Sequence, residues 1–495
     1  MQNETPNDVR VIKTDLENKD GQNKCPKCGA TEITLNVNTG KLRCNYCRCE
    51  FEPIKLTNME NNLSNLKGQI IGSGATNIIS DTNEVVTFKC ESCGAEVVVD
   101  TSSSTQARCH WCRSTLSVNQ QIPNGAIPDV VLPFNVKKDD AKEIIEKFVN
   151  KRKFYAHPKF RQEFTVQNIM GVYFPYMLVD INSHVNLVGT GEHQTRQYTR
   201  GSGNNQRTYY DADLYKIERE FDLVIDGLSI EASSDKLNNS SNKTNNVINA
   251  IMPFDIENCV RYNSNYLKGF TSERRDTNIE QLKGIINVQA KDIARISANE
   301  TLTFYDRGVS WKNEQLNVTG EQWKAAYLPV WLYSYQQVKK EEKILHYVAV
   351  NARTKEVMGS VPIHIPKLLI ISFIIEMISV VASIYVDWDY SWIFLFAGVI
   401  YFFIIYSKYR NASARHEYET DTKTQISNIR KIDDFIQHKQ GLTDSKMINA
   451  NNLDVKGKTE GSKILDAMTS LNGDSISVIK NNNVANFIKN NINKE

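Results

Sequence analysis

The chain has 495 residues, 23% of them charged, with 59 Lys+Arg against 57 Asp+Glu and a net charge of +2. That length allows three or more units and a substantial core, and the even balance of charge excludes the global basic excess of a protein built wholly for nucleic acid. A mean hydropathy of −0.42 fits one short apolar hairpin on an otherwise water-soluble chain.

Residues 1–22 are polar and lack the apolar stretch of a secretory signal, so they read as a flexible arm that stays where it is made. A first ribbon is expected over 23–56. It holds Cys25-Pro26-Lys27-Cys28-Gly29, an alternating stretch at 32–37, a turn at Asn38-Thr39-Gly40, and a return into Cys44-Asn45-Tyr46-Cys47. Residues 57–86 read as a linker rich in Asn, Ser and Gly. Its Gly72-Ser73-Gly74 lacks the rest of any phosphate-binding pattern. A second ribbon is expected over 87–118, with Cys90, Cys93, Cys109 and Cys112 each 65 residues after its counterpart, the mark of a duplication.

Eight of the ten cysteines therefore fall into two identically spaced sets. In a reducing compartment this spacing reads as metal binding and not as disulfides. A Cys-x-x-Cys turn offers two thiolates from one knuckle, and a second knuckle on a facing hairpin completes a tetrahedron with Zn–S distances of about 2.3 Å. Gly29 and Gly94 permit the tight turn after the second thiolate, and Pro26 stiffens the first knuckle. With Cys25, Cys28, Cys44 and Cys47 on one ion and Cys90, Cys93, Cys109 and Cys112 on the other, no coordination position is left for substrate. Two structural zinc ions and no catalytic or cofactor-binding residues are the expectation. Cys49 and His110 stand beside the knuckles but outside the repeated spacing, and Cys259 reads as a core thiol. The first ribbon carries a net +3 and the second a net of zero, so only Arg43, Arg48 and Tyr46 offer a small basic and aromatic patch. Phe51, Phe88 and Trp111 read as packing for the ribbons.

Residues 119–366 read as a duplicated α+β region. Val131-Leu132-Pro133-Phe134 returns as Ile251-Met252-Pro253-Phe254, and Tyr173-Phe174-Pro175 returns as Tyr327-Leu328-Pro329. Between the first members an amphipathic helix is expected over 139–153, with Ile144, Ile145, Phe148 and Val149 on one face. Between the second members a longer helix opens at Thr277-Asn278-Ile279-Glu280, the pattern of a capping box. Strands are expected over 171–188 and 209–228, with a hairpin over 343–361 turning at 351–355. Residues 182–206 and 233–246 read as surface loops. The eight histidines form no nucleophile or ligand pattern.

A transmembrane hairpin is expected over 367–409, with segments at 368–386 and 392–407 split by Asp387-Trp388-Asp389-Tyr390. Nineteen helical residues rise about 28 Å, close to a bilayer's hydrocarbon thickness. Arg353, Lys355, Lys367, Lys408, Arg410 and Arg415 flank the pair and none lies in the turn, which places both termini in the cytoplasm of a two-pass cell-membrane protein. Glu376 with Ser372, Ser379 and Ser383 makes a polar seam on the first segment. Residues 410–495 read as a polar cytoplasmic tail with helical patches at 425–437 and 484–492. Gly457-Lys458-Thr459 lacks the glycine a phosphate loop needs at 452.

The eight cysteines, Val131 to Phe134, the two Tyr-x-Pro fragments, residues 351–359 and the apolar pair together resemble bacterial membrane proteins with transcription-factor-IIB-type zinc ribbons, often labelled primosomal helicase-like. The likeness spans roughly 23–407 and carries no complete nucleotide-binding motif. It is also similar to membrane-stress adaptors, which implies a non-enzymatic scaffold docking protein partners at the bilayer, a second copy of the chain among the candidates, with no small-molecule substrate. The alternative is a membrane-tethered nucleic-acid binder working through the first ribbon.

Overall fold

The computed structural model describes residues 9–12, 14, 25–30, 33–52, 56, 59–77, 85–89, 96–100, 107–111, 115–116, 121–122, 128–165, 168–201, 206–233, 248–262, 266–267, 269–273, 275–339, 342–383, 396–409 and 418–443. The first part carries short strands: β1 (Val9–Ile12), β2 (Ile33–Asn36), β3 (Lys41–Cys44), β4 (Glu50–Phe51), β5 (Gly68–Gly72), β6 (Val85–Lys89), β7 (Glu96–Asp100), β8 (Ala107–Arg108), β9 (Thr115–Leu116), β10 (Gln121–Ile122) and β11 (Val130–Val131). There follow α1 (Lys138–Asn150), α2 (Pro158–Glu163), β12 (Met170–Arg200), β13 (Arg207–Glu231), β14 (Val260–Arg261), β15 (Thr271–Glu273) and α3 (Ile279–Ala298). The last part is β16 (Gly308–Lys339), β17 (Glu342–Asn351), β18 (Val357–Gly359), α4 (Ile365–Ser383), α5 (Ala397–Tyr409) and β19 (Lys423–Thr443).

The fold is mixed α+β, organised on an antiparallel sheet in the order β18-β17-β16-β12-β13-β19. β12, with 31 residues, reaches about 100 Å at 3.3 Å per residue. From Ile181 to Val188 its side chains alternate between buried and half-buried, as a sheet with one covered face requires. Val185, Leu187, Phe221, Leu223 and Ile225 share an apolar cluster with Ile286, Ala290 and Ile293 of α3. The α3 cap lies one residue later than the sequence pattern suggests, with the Asn278 N–H donating to Gln281 Oε1 at 2.8 Å.

The two Tyr-x-Pro fragments are partners. Tyr173 faces Pro329, Phe174 faces Leu328 and Pro175 faces Tyr327 across the β12–β16 ladder, and all six are buried. Val130 and Val131 pair with Ala326 and Tyr327, so the Val131–Phe134 fragment starts from the same centre. Phe134 stacks on Phe270 with ring centroids 4.2 Å apart and meets Trp331 edge-on.

Several expectations are corrected. The arm is tied down at β1, which pairs with β5, and Thr14 is buried. The stretch expected as a linker supplies β5, a parallel neighbour of β16, together with buried Leu66, Ile70 and Ala75. The loop expected from 182 is strand as far as Arg200, because its polar residues lie in alternation and occupy the uncovered face. The helical patch at 425–437 is instead strand β19, paired with β13. Ile426, Ile429, Ile432 and Ile436 mimic helical spacing, and pairing with a long neighbouring strand overrides it. The patch at 484–492 and Gly457-Lys458-Thr459 lie outside the described residues.

Among the described residues one helix, α4, is long and apolar enough to cross a membrane. The thirteen residues of α5 rise about 20 Å, short of the roughly 30 Å a span needs. Residues 384–395, with the expected turn, lie outside the described residues. α5 lies against α4: the Gly398 N–H donates to Glu376 Oε2 at 2.7 Å, and a Cβ at 398 would collide with the Ser372 carbonyl. The polar seam on α4 is thus a helix–helix contact. At the other end the Val361 N–H donates to the Tyr409 carbonyl at 3.0 Å.

Candidate metal centre

Two short loops and a hairpin build the first cysteine site. The Gly29 N–H donates to the Cys25 carbonyl and the Arg48 N–H to the Cys44 carbonyl, both at 2.9 Å. The Cys25 N–H donates to Ala30 and the Cys44 N–H to Cys49, at 2.8 and 2.9 Å, so the two knuckles repeat one hydrogen-bond pattern. Each knuckle needs a left-handed residue after its second cysteine. Gly29 supplies it at φ 72°, and Arg48 supplies it at φ 59° despite its Cβ. β2, β3 and β4 pair antiparallel and hold the knuckles face to face, with Ile33 and Leu42 buried beneath them.

The Sγ atoms of Cys25, Cys28, Cys44 and Cys47 all lie within 4.8 Å of one another. Cys25–Cys47 and Cys28–Cys44 are each 3.6 Å apart. A tetrahedron with Zn–S of about 2.3 Å has sulfur–sulfur edges of about 3.8 Å, so the four thiols fit one zinc ion and leave no fifth protein donor. Burial pushes the Cys25 thiol up, but the backbone N–H groups of Cys28 and Lys27 and the facing thiols outweigh it and set the group at about 7. At Cys47 the Cys49 backbone pulls down while desolvation and the other thiols push up, to about 12. Cys49 turns its sulfur toward the Glu50 carbonyl, 3.7 Å away, and is not among the four.

Of the second set, Cys109 is buried, and Cys90, Cys93 and Cys112 lie outside the described residues. Its surroundings are packed into the main fold. Trp111 is 3% exposed and meets Phe174 and Tyr347 edge-on, and Ser334 Oγ donates to the His110 carbonyl at 2.6 Å. β7 continues the sheet by pairing with β15.

Other chemistry-bearing residues are dispersed. Cys259 is half-buried beside a cavity of about 590 Å³ shared with Met59, Asp226, Ile256 and Lys324, and desolvation pushes its thiol up to about 12. Lys324 is spent on buried Asp180 at 2.7 Å, and Arg353 on Asp255 at 2.6 Å. Arg43 and Arg48 line one shallow groove with Thr34, Asn36 and Asn45, and Tyr46 is 83% exposed. One feature lay outside the cysteine pattern although its signal is plain in the sequence: residues 151–161 hold Lys151, Arg152, Lys153, Lys159 and Arg161 with no acidic residue.

No family model matches the chain, and no solved structure matches it. It is similar to the uncharacterized protein YdjG of Bacillus subtilis (strain 168), 22% identical over 236 residues that cover 48% of this chain and 64% of the relative. The chain therefore spans just under two thirds of that relative's length, and the relative's name assigns no activity.

Proposed function

We propose that the chain is a zinc-stabilised, non-enzymatic adaptor, anchored in a bilayer through α4 and its neighbour α5, that docks protein partners on its ribbons and sheet. The observation that carries the reading is the outward apolar surface of α4. Ile370, Phe373 and Ile378 are 61–65% exposed, and 11% of the helix's most apolar window is buried. A core helix of a soluble protein would be mostly covered, and a signal sequence would lie near the N-terminus. The Val361–Tyr409 contact supports chain entry and exit on one side, and Lys367 and Lys408 at that level favour the cytoplasm. A closed four-thiolate site supports a structural metal, and the likeness to membrane-stress adaptors suggests the setting.

The test is to extract the full-length protein from its own membranes, with and without Cys25→Ser and Cys90→Ser. Retention after carbonate washing, zinc in the wild type and metal-dependent recovery of defined membrane-associated proteins are expected. Release by carbonate, or a partner set indifferent to both substitutions, overturns the proposal. A second reading rests on the Arg43 and Arg48 groove beside exposed Tyr46: nucleic-acid binding by the first ribbon. A steep salt dependence of binding that is lost on Arg43→Gln would favour it.

A further inference from the structure

We infer that residues 151–161 form a binding face for anionic phospholipid headgroups, with the Phe154 ring set among those headgroups. The inference rests on the reading of α4 as a membrane anchor and adds a second, chemically selective contact with the same bilayer.

Placement comes first. The segment is bolted to the point where α4 begins and α5 ends. Ala156 bridges Ile363, the His157 N–H donates to Pro362 at 2.7 Å, and the His364 N–H donates to Tyr155 at 2.8 Å. Arg152 Nε donates to the Lys408 carbonyl at 3.0 Å, and the Tyr155 and Tyr401 hydroxyls are 2.7 Å apart. Lys367 Nζ donates to the Phe154 carbonyl at 2.8 Å and stands 3.7 Å from the centre of the Phe154 ring. Lys367 lies one turn before Ile370 and Phe373, which open the apolar surface of α4. A segment held at this level meets the headgroup layer whenever α4 is in hydrocarbon.

Charge and exposure complete the case. Arg152 is occupied with the Lys408 carbonyl and the Phe148 ring. Lys151, Lys153, Lys159 and Arg161 are exposed, and none has an ion pair with a carboxylate among the described residues. Lys147, one turn earlier, is by contrast held by Glu143 at 2.6 Å. The stretch thus presents four exposed cations without an ion pair among the described residues, bounded in the chain by exposed Glu146 and Glu163. Phe154, which follows Lys153 in the chain, is 60% exposed. An exposed aromatic ring with Lys367 Nζ 3.7 Å from its centre, in a cation-rich segment beside an apolar helix, suits a phosphate layer over hydrocarbon; nucleic acid would not need the apolar neighbour. Each cation near an anionic surface contributes roughly fivefold in affinity at moderate salt.

The test reconstitutes the full-length protein in vesicles of phosphatidylcholine with roughly 30% phosphatidylglycerol, a surface anionic enough to engage such cations. Carbonate extraction is applied first, and lipids retained after mild detergent are then weighed by class. The wild type is expected to resist carbonate and to retain phosphatidylglycerol in excess over its bulk share. The variant Lys151→Gln/Lys153→Gln/Lys159→Gln/Arg161→Gln should resist carbonate equally and retain phosphatidylglycerol at close to its bulk share. Phe154→Ser, with its charge unchanged, should lose part of it, and salt should weaken the wild type toward the charge variant. Equal retention of both lipids by a carbonate-resistant wild type overturns the headgroup site and leaves the anchor standing. Carbonate release overturns both. Displacement of the retained lipid by duplex DNA or RNA at equal phosphate concentration would assign the face to nucleic acid instead.

Discussion

The first ribbon and the central sheet are both antiparallel β-structure, but different forces hold them. The sheet buries Trp323, Tyr173, Phe174, Tyr176 and Phe221 and is covered by α3, so its stability comes from apolar area removed from water. The ribbon has strands of two to four residues and two buried aliphatic side chains, Ile33 and Leu42, which join the cluster around α1. A unit that small cannot offset its chain entropy by burial, and a zinc ion on its four thiols would supply the difference. The comparison teaches where each region fails: the ribbon by losing its ligands, the sheet by losing its packing.

The largest effect should come from removing the metal. Structural zinc contributes about 10–16 kcal/mol in small folded modules near neutral pH, more than a ribbon's whole stability. Chelation, or Cys25→Ser, should therefore unfold residues 25–51 and leave the sheet folded. Hydrogen exchange read peptide by peptide checks this: the ribbon's amides should lose protection while those of β12 and β16 keep theirs. Global unfolding would mean that the contact of Ile33 and Leu42 with the cluster around α1 supports the sheet as well.

The reverse experiment breaks the sheet and spares the metal. Trp323 is fully buried and pairs with Val179 on one side and Ile71 on the other. Trp323→Ala should cost about 3–5 kcal/mol, through lost transfer energy and the cavity left behind. Thermal unfolding followed together with zinc content should show a lower melting temperature for the main transition at unchanged stoichiometry.

How much of this contrast the sequence carried depends on the range of the forces. The first pair of knuckles was legible because ligand spacing is local: the four thiols that meet are Cys25, Cys28, Cys44 and Cys47, the first of the two sets the spacing selects. α1 and α3 were legible because a single buried stripe shows as a period, and both fall within a few residues of expectation. The hairpin at β17 and β18 was legible in its turn, where Asn351 Oδ1 accepts the Arg353 and Thr354 N–H groups at 2.9 and 3.1 Å. What was not legible is pairing between distant segments. β5 becomes a strand only because β16 offers it an edge, β1 only because β5 does, and β19 only because β13 does. The cation-rich stretch at 151–161 is visible as composition, but its position beside α4 is a tertiary fact.

β19 supplies the next test, since a strand from beyond the apolar helices, paired along β13, is also held to the sheet by a buried guanidinium. Arg219 is 1% exposed and donates to Thr301 Oγ1 at 3.0 Å, Asp433 Oδ1 at 2.8 Å and the Ile432 carbonyl at 3.3 Å. It thereby joins β13, the end of α3 and β19. Arg219→Gln should cost about 2–3 kcal/mol, the range for charge-assisted hydrogen bonds in a sheltered site. The loss should concentrate in β19: limited proteolysis should cut within 423–443 while β12 stays intact. Uniform loss of protection would place Arg219 in the general core instead.

The uncovered face of the sheet adds a pH-dependent contribution of its own. The hydrogen bond to Asp222, 2.8 Å away, opposed by desolvation and helped by Glu220, raises the affinity of His184 for its proton. A group whose folded pKa is raised contributes fully below its unfolded value of about 6.5 and ceases to contribute as pH rises through the folded pKa. His184→Gln should thus lower the main melting temperature more at about pH 5.5 than at a pH above the folded pKa, where the imidazole is neutral in both states. The side chain is 41% exposed, so the difference should be a degree or two at most, about the effect of a surface pair. An equal deficit at both pH values would assign the residue to packing.

The smallest effect should sharpen the comparison most, because it changes the ribbon without touching a ligand. Gly29 and Arg48 hold the same left-handed position in the two knuckles, and only Arg48 has a Cβ there. The left-handed conformation costs a non-glycine residue about 1 kcal/mol, and glycine removes that strain while adding freedom to the unfolded chain. The two terms oppose, so Arg48→Gly should stabilise the ribbon by about 0.5 kcal/mol. A shift of that size is invisible in the melting of the sheet but readable as tighter zinc retention against a chelator, since metal affinity and ribbon folding are one equilibrium. The substitution also deletes a cation from the groove shared with Arg43, so Arg48→Asn, which tolerates the left-handed region without the charge, separates the two causes. If both variants hold zinc more tightly, backbone strain is what nature left in the second knuckle. If both hold it less tightly, the Arg48 side chain supports the ribbon in a way its open position does not suggest.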